Sequence, residues 1–226
     1  MIESHFKGRR PYMNRAKNMS DNYWGYSVKA WHGTTTVGLV IKDYVVLAAD
    51  KRATAGFLIA SRSVKKIVKV TDYAAMTISG LVADAQALAD VVREEARYYE
   101  MNTGKRLSIY GMATLLANVL SSSKYFPYIV QLIIGGYDTA PRLYAIDPYG
   151  GVTEEKMTAS GSGSPVALGV LERGYSEDLD LEGAVKLASE AVRSAILRDA
   201  ATGDGIDVTI IGHKTYQERF IPFRAS

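Results

Sequence analysis

The fold of this 226-residue chain is decided by residues 33–50, whose sequence is GTTTVGLVIKDYVVLAAD. Residues 34–41 are rich in β-branched and apolar side chains, and residues 44–49 form a second run of the same kind, so both segments predict β-strands. Lys42 and Asp43 lie between them and predict the turn of a hairpin. The chain is therefore expected to enter its folded part as a β-hairpin beginning at Thr34.

Further along the chain, strands and helices are predicted in runs. A helix follows the second pair of strands because the apolar residues of 83–99 recur at helical spacing. Since strands do not alternate singly with helices, antiparallel sheets with helices on their outer faces are predicted. The predicted strands are 66–70, 74–79, 127–134 (ended by Gly135 and Gly136), 142–146 and 207–211, and the predicted helices are 83–99, 110–121, one beginning at Pro165, and 181–200.

Charge is distributed unevenly, which bears on possible partners. The net charge of the whole chain is +3, of which residues 1–33 carry +4 and the remainder −1. Because the basic character belongs to the N-terminal segment and the body is nearly neutral, nucleic-acid binding is not expected. No apolar run approaches the length of a membrane span, and residues 1–33 lack the apolar region of a secretory signal, so no membrane association is expected either.

The residue types that are missing restrict the chemistry. The chain has no cysteine, and its three histidines are His5, His32 and His213. A Cys-His site is impossible, and a zinc site built on clustered His and Cys is not expected. No phosphate-binding or dinucleotide-binding glycine motif is present, so neither a metal nor a cofactor is expected. An enzyme with this composition needs a nucleophile activated by an amine or a carboxylate.

The sequence resembles the archaeal-type 20S proteasome β-subunits, which are threonine peptidases among the N-terminal nucleophile hydrolases. The resemblance covers residues 33–213, with the motifs in the order and spacing of that family. Those motifs are GTTTVG at 33–38, AADKRAT at 48–54, VKKI at 64–67, SGL at 79–81, QLIIGGYDTA at 131–140, GSGSP at 161–165 and RDAATG at 198–203.

The resemblance implies an α+β fold, a four-layer αββα sandwich in which two antiparallel sheets lie between helix layers. It implies that residues 1–33 are a propeptide removed autocatalytically and that residues 34–226 are the catalytic domain. The partners it implies are homologous or paralogous β-subunits in a seven-membered ring, an α-subunit ring, an ATPase regulator acting through the α ring, and unfolded polypeptide as substrate. A cytoplasmic threonine endopeptidase is therefore expected.

The chemistry of Thr34 depends on cleavage of the bond that precedes it. A threonine hydroxyl is a poor nucleophile and needs a base within hydrogen-bond reach. An α-amine has a pKa near 8, so a threonine at the chain terminus carries nucleophile and base on one residue. Gly33 has no side chain to obstruct the approach of the Thr34 hydroxyl to its carbonyl. Cleavage between Gly33 and Thr34 is therefore expected.

The resemblance assigns partners to Thr34. Lys66 corresponds to the catalytic lysine of the family, whose charge lowers the proton affinity of the hydroxyl and amine. Asp50 corresponds to its acidic partner, and the Gly80 N–H to the oxyanion donor. The hydrogen-bonding group that supports the amine corresponds to Ser162, Asp199 and Thr202, where the family usually has a serine in place of Thr202.

The resemblance also assigns residues that bind substrate. Thr54 and Gly80 are expected to pair with the substrate backbone as an added strand. A pocket for the side chain before the scissile bond is expected to be uncharged, which favours cleavage after apolar residues. Its expected lining is Ala53, Val64, Val68, Ile78 and Val82, although each could equally be an ordinary core residue.

Two other functions remain open. The first is a non-catalytic β-type ring subunit that stays unprocessed and supports an active paralogue. Such subunits usually lose the terminal threonine, the lysine or the preceding glycine, and all three are retained here. The second is a bacterial-type two-ring peptidase fed by an ATPase, although the motif at 198–203 and the long C-terminal helix fit the proteasome better. An α-subunit is disfavoured because the segment before the hairpin lacks that group's helical signature.

Overall fold

The computed structural model describes residues 33–223, and within this range the backbone forms twelve strands and four helices. The strands are β1 Thr36–Ile41, β2 Tyr44–Asp50, β3 Ala53–Ala55, β4 Leu58–Ser61, β5 Ile67–Thr71, β6 Ala74–Gly80, β7 Val130–Tyr137, β8 Pro141–Ile146, β9 Val152–Glu154, β10 Met157–Ser160, β11 Ile206–Gly212 and β12 Thr215–Ile221. The helices, numbered here in chain order, are α1 Val82–Thr103, α2 Ile109–Ser122, α3 Ser164–Gly174 and α4 Leu181–Ile196. The predicted strands and helices are all present, with shifted ends.

Two five-stranded antiparallel sheets form the centre of the fold. The first has the strand order β10-β1-β2-β11-β12, and the second has the order β5-β6-β7-β8-β9. The predicted hairpin is confirmed, since Ile41 pairs with Tyr44 at its turn and Thr36 pairs with Ala49 at its open end. That open end brings the residues next to Thr34 beside the end of β2.

Three groups of buried apolar side chains separate four layers. One group lies between the second sheet and helices α1 and α2, and another lies between the first sheet and helices α3 and α4. The third lies between the two sheets. Strand β2 contributes side chains to two of these groups, because Val46 and Ala48 face the helices whereas Val45 and Leu47 face the other sheet. The predicted αββα sandwich is therefore confirmed, and its burial on both faces explains the continuous apolar run of β2.

Gly135 and Gly136 do not end a strand, so that prediction was wrong. Strand β7 continues through them to Tyr137. A Cβ at Gly135 would lie 2.7 Å from Val45 Cγ1 of the other sheet, and one at Gly136 would lie 2.3 Å from the Tyr73 carbonyl oxygen. Glycine fits both positions because another segment approaches closely: the other sheet at Gly135, and the start of the neighbouring strand β6 at Gly136.

The end of the last helix and the presence of the last strand also differ from the sequence-based expectation. Helix α4 ends at Ile196, several residues before the predicted end at residue 200. The residues released from the helix form a loop from 199 to 205 that returns to the end of β2. Strand β12 was not predicted, because its partly buried sequence TYQERFI lacks a continuous apolar run. Among residues 33–223, no helix is long and apolar enough to cross a membrane.

Candidate active site

The predicted catalytic residues converge at one end of the sandwich, where β1 and β5 begin and β2 ends. Thr34 and Lys66 are each 3% exposed, and the Asp50 side chain is fully buried. Two further residues complete the site: Ser162, in the turn between β10 and α3, and Asp199, in the loop after α4. Residues far apart in the sequence therefore meet at this end of the sandwich.

The carboxylate of Asp50 is the hydrogen-bonding centre of the site. Its Oδ1 accepts from Lys66 Nζ at 2.7 Å and from the Thr35 backbone N–H at 2.9 Å. Its Oδ2 accepts from the backbone N–H groups of Arg52 at 3.0 Å and Gly203 at 2.9 Å. One side chain thus fixes the strand next to Thr34, the end of β2, the lysine and the loop after α4.

Lys66 and Asp50 form a buried ion pair whose two charges have little access to water. Burial lowers the pKa of the Lys66 ammonium, and the nearby Asp50 charge opposes that decrease. Burial raises the pKa of the Asp50 carboxyl, and the charge and hydrogen bond of Lys66 together with backbone N–H groups oppose that increase. A lysine in this setting is held in one orientation and releases a proton more readily than an exposed lysine.

The bond before Thr34 lies within this group of residues. The Thr34 hydroxyl donates to the Gly33 carbonyl oxygen at 2.7 Å, and Lys66 Nζ donates to the same oxygen at 3.4 Å. The Gly33 N–H donates to Thr54 Oγ1 at 3.1 Å. The Gly33 carbonyl oxygen therefore contacts both the Thr34 hydroxyl and a positive charge.

A chain of hydroxyl groups connects the backbone of Thr34 to Asp199. The Thr34 N–H donates to Ser162 Oγ at 3.3 Å, and Ser162 Oγ donates to Asp199 Oδ2 at 2.5 Å. The same carboxylate oxygen accepts from Thr202 Oγ1 at 2.6 Å, and Thr202 Oγ1 is also 2.8 Å from Thr35 Oγ1. The Thr202 hydroxyl therefore contacts both Asp199 and Thr35.

Gly80 ends β6 with a φ of +109°, a conformation that favours glycine. A Cβ there would lie 2.1 Å from the Ile129 carbonyl oxygen. The neighbouring residue Ser79 lies close to Thr34, since both approach Gly161: a Cβ added at Gly161 would lie 2.1 Å from the Thr34 carbonyl oxygen and 2.9 Å from Ser79 Oγ. Gly80 therefore lies at the edge of the site in a conformation that other residues would strain.

The expected substrate-binding residues lie on neighbouring elements, and one of them forms a hydrogen bond with Gly33. Thr54 on β3 accepts the Gly33 N–H, as described above. Ile78 on β6 is 2% exposed and belongs, with the partly buried Val68 of β5, to the core between the second sheet and the helices. The remaining positions are partly buried: Ala53 on β3, Val64 before β5 and Val82 at the start of α1.

Several residues of the site were not predicted from the sequence. Arg52 donates through Nε to Asp204 at 2.8 Å and through Nη1 to the Ala200 carbonyl oxygen at 2.9 Å, so it holds the loop after α4. Thr36 Oγ1 lies 2.9 Å from Thr77 Oγ1 and 2.8 Å from Ser160 Oγ, which joins three strands below the site. The arginine beside Asp50 and the repeated threonines were the available signals. Among the described residues, no group of three His, Cys, Asp or Glu side chains could hold a metal ion.

A four-layer sandwich with a threonine at the start of its first central strand is the architecture of the N-terminal nucleophile hydrolases. Residues 30–211 match the protein family described as "Proteasome subunit". The chain is 64% identical to proteasome subunit beta 2 of Aeropyrum pernix over 85% of its length and 88% of the relative. It is 56% identical to proteasome subunit beta 2 of Hyperthermus butylicus (84% and 90%) and 50% identical to proteasome subunit beta of Methanocaldococcus fervens (84% and 87%). The chain therefore belongs to the proteasome subunit family and is one of its β subunits.

Proposed function

We propose that this β subunit is a threonine endopeptidase of the 20S proteasome core, with Thr34 as its nucleophile. The observation that carries the proposal is the arrangement around one carbonyl group. The Thr34 hydroxyl and the Lys66 ammonium both contact the Gly33 carbonyl oxygen, and Lys66 is paired with the buried Asp50. A nucleophile, a fixed positive charge and a scissile bond are thus brought together within one chain.

Residues 1–33 form the propeptide, and self-cleavage removes it. The Thr34 hydroxyl oxygen attacks the Gly33 carbonyl carbon, the amide bond breaks, and the hydroxyl proton ends on the nitrogen that becomes the free amine. Water then hydrolyses the resulting ester, giving a carboxyl group on Gly33 and restoring the Thr34 hydroxyl. Lys66 Nζ, 3.4 Å from the carbonyl oxygen, stabilises the negative charge that develops there.

After self-cleavage, residues 34–226 form the catalytic domain. The free amine of Thr34 occupies the position of the present N–H, 3.3 Å from Ser162 Oγ, and accepts the hydroxyl proton during attack on a substrate. Asp199 and Thr202 hold Ser162 and the neighbouring backbone in place. The Gly80 N–H stabilises the oxyanion, and Thr54 pairs with the substrate backbone where it now binds Gly33.

The assembly determines which substrates reach this site. In the proposed particle, β subunits form seven-membered rings next to rings of α subunits, and an ATPase regulator acts through the α ring in the cytoplasm. Only unfolded polypeptide can enter such a chamber. The uncharged pocket positions Ala53, Val64, Val68, Ile78 and Val82 favour cleavage after apolar residues.

The test compares the parent chain with Thr34→Ala and Thr34→Ser, each assembled with α subunits. Intact mass should show that the parent has lost residues 1–33, whereas Thr34→Ala keeps them and hydrolyses no fluorogenic peptide. Thr34→Ser retains a hydroxyl and should therefore retain both self-cleavage and peptide hydrolysis, each at a reduced rate. Peptide hydrolysis by Thr34→Ala, at the parental rate, would contradict the proposal.

A second, non-catalytic function stays open, because the relatives' names do not distinguish a catalytic from a supporting β subunit. In that case the chain would be an unprocessed β-type subunit that supports an active paralogue. The same mass measurement separates the two functions. An assembled parent chain that still carries residues 1–33 would favour the supporting role.

A further inference from the structure

Both polar backbone groups of Gly33, the residue before Thr34, form hydrogen bonds. The Gly33 N–H donates to Thr54 Oγ1, and its carbonyl oxygen accepts from Thr34 Oγ1 and Lys66 Nζ. Gly33 is also buried. Its backbone therefore cannot shift to make room for a side chain without losing contacts that hold the scissile carbonyl.

The remaining side of Gly33 faces Ala201, a residue that has no assigned role. A Cβ added at Gly33 would lie 1.7 Å from Ala201 Cβ and 2.8 Å from Ala201 Cα. Real Cβ atoms do not approach other atoms so closely, so any side chain at position 33 displaces either the scissile segment or the loop that carries Ala201. The alanine methyl group fills the space that a residue-33 side chain would need.

The loop cannot easily move away, because it is held at three points. The Ala201 N–H donates to Asp199 Oδ1 at 3.1 Å. The neighbouring Ala200 carbonyl oxygen accepts from Arg52 Nη1 at 2.9 Å, and the Gly203 N–H donates to Asp50 Oδ2 at 2.9 Å. Moving Ala201 would therefore disturb the carboxylates that organise the site.

We propose that Ala201 is a specificity-determining residue for self-cleavage, since its methyl group admits only glycine at position 33. This inference rests on the proposed self-cleavage between Gly33 and Thr34. A side chain at position 33 moves the carbonyl carbon away from Thr34 Oγ1, and a displacement of about 1 Å can lower a rate by two orders of magnitude. The contact between position 33 and Ala201 in the precursor thereby helps to define where the chain is cleaved.

The test is a pair of substitutions in the full chain, with self-cleavage followed by intact mass over time. Gly33→Ala should slow cleavage about a hundredfold. Adding Ala201→Gly removes the 1.7 Å overlap and leaves the 2.8 Å approach to Ala201 Cα, so partial recovery of about tenfold is expected. The matched control is Gly33→Ala with Ala200→Gly, which loosens the same loop without opening space at Gly33 and should give no recovery.

Circular dichroism and the thermal unfolding midpoint of each variant separate slow cleavage from failure to fold. A folded Gly33→Ala chain that is cleaved at the parental rate would overturn the inference, as would equal recovery with Ala200→Gly and Ala201→Gly. Failure of the proposed function gives a different result. In that case the parent chain itself keeps residues 1–33, which overturns both proposals together.

Discussion

Replacing Lys66 with methionine should destabilise the chain far more than the same change at its neighbour Lys65. The two lysines are adjacent in sequence but differ in burial. Lys66 is almost fully buried and paired with Asp50, whereas Lys65 pairs with Glu218 and both of those side chains are about half exposed. The comparison therefore holds the chemical change constant and varies only the environment of the charge.

The expected magnitude follows from what each substitution leaves behind. Lys66→Met leaves the Asp50 carboxylate buried without its counter-ion, a change that typically costs about 3–5 kcal/mol. Three backbone N–H groups still donate to Asp50, so the lower end, about 3 kcal/mol, is expected. Lys65→Met removes an exposed ion pair, which contributes about 0–1 kcal/mol.

The assay is urea-induced unfolding of the unassembled chain, monitored by far-ultraviolet circular dichroism. Both substitutions are made in a Thr34→Ala background, so that every variant retains residues 1–33 and the same covalent structure is compared. With a slope of about 3 kcal/mol per M, the midpoint should fall by about 1 M for Lys66→Met and by at most about 0.3 M for Lys65→Met. Equal midpoint shifts would refute the assignment of Lys66 and Asp50 as a buried, mutually dependent pair.

Three further predictions concern the loop after α4 and the edge of the site. The Arg52 hydrogen bond lowers the pKa of Asp204, so the stability that this carboxylate contributes is present above pH ~4 and is lost as pH falls through its folded-state pKa. Asp204→Asn should therefore lower the unfolding midpoint at pH 7 and have little effect near pH 2; an equal effect at both values would count against this ion pair. Thr202→Val removes two hydrogen bonds of a buried side chain and should lower peptide hydrolysis at least about tenfold. Thr202→Ser keeps the hydroxyl and should stay within about threefold of the parent. Similar activities for the two variants would contradict the role of the hydroxyl. Gly80→Ala should lower the thermal unfolding midpoint by several degrees, because residue 80 has a positive φ and its new Cβ would overlap the Ile129 carbonyl oxygen. The control is Gly169→Ala in helix α3, whose Cβ would meet nothing within 4 Å and which should be neutral or slightly stabilising. Comparable losses for the two variants would show that the space at Gly80 is not limiting.

Much of the layer arrangement was predictable because it depends on local pattern. The β-branched run at 34–41 and the apolar run at 44–49 predicted the hairpin. The helical spacing of apolar residues in 83–99 predicted the first helix, whose buried residues are Ala85, Leu88, Ala89, Val92 and Ala96. The glycines of β7 were misassigned because their role depends on the distance to the segments that pack against them. A local pattern contains no information about that distance.

The residues of the site were proposed from a resemblance, and the structure brings most of them together. Thr34, Asp50 and Lys66 form one buried group, and Ser162, Asp199 and Thr202 form a hydrogen-bonded chain beside it. The pocket was less predictable, because Ile78 and Val68 pack in the core and an apolar residue does not indicate from sequence which side of a strand it will line. Whether these positions contact substrate stays a prediction.

Sequence alone determined the antiparallel sheets, the absence of cysteine and clustered histidine, and the break in charge before Thr34. These features follow from residue type and from spacing along the chain, which are local properties. Only the tertiary structure decided which donors surround Asp50, that Arg52 holds the loop after α4, and that Ala201 occupies the space beside Gly33. Two of those contacts, from Gly203 to Asp50 and from Arg52 to Ala200, join residues about 150 positions apart, and such pairings are set by how the layers pack rather than by any pattern within one segment.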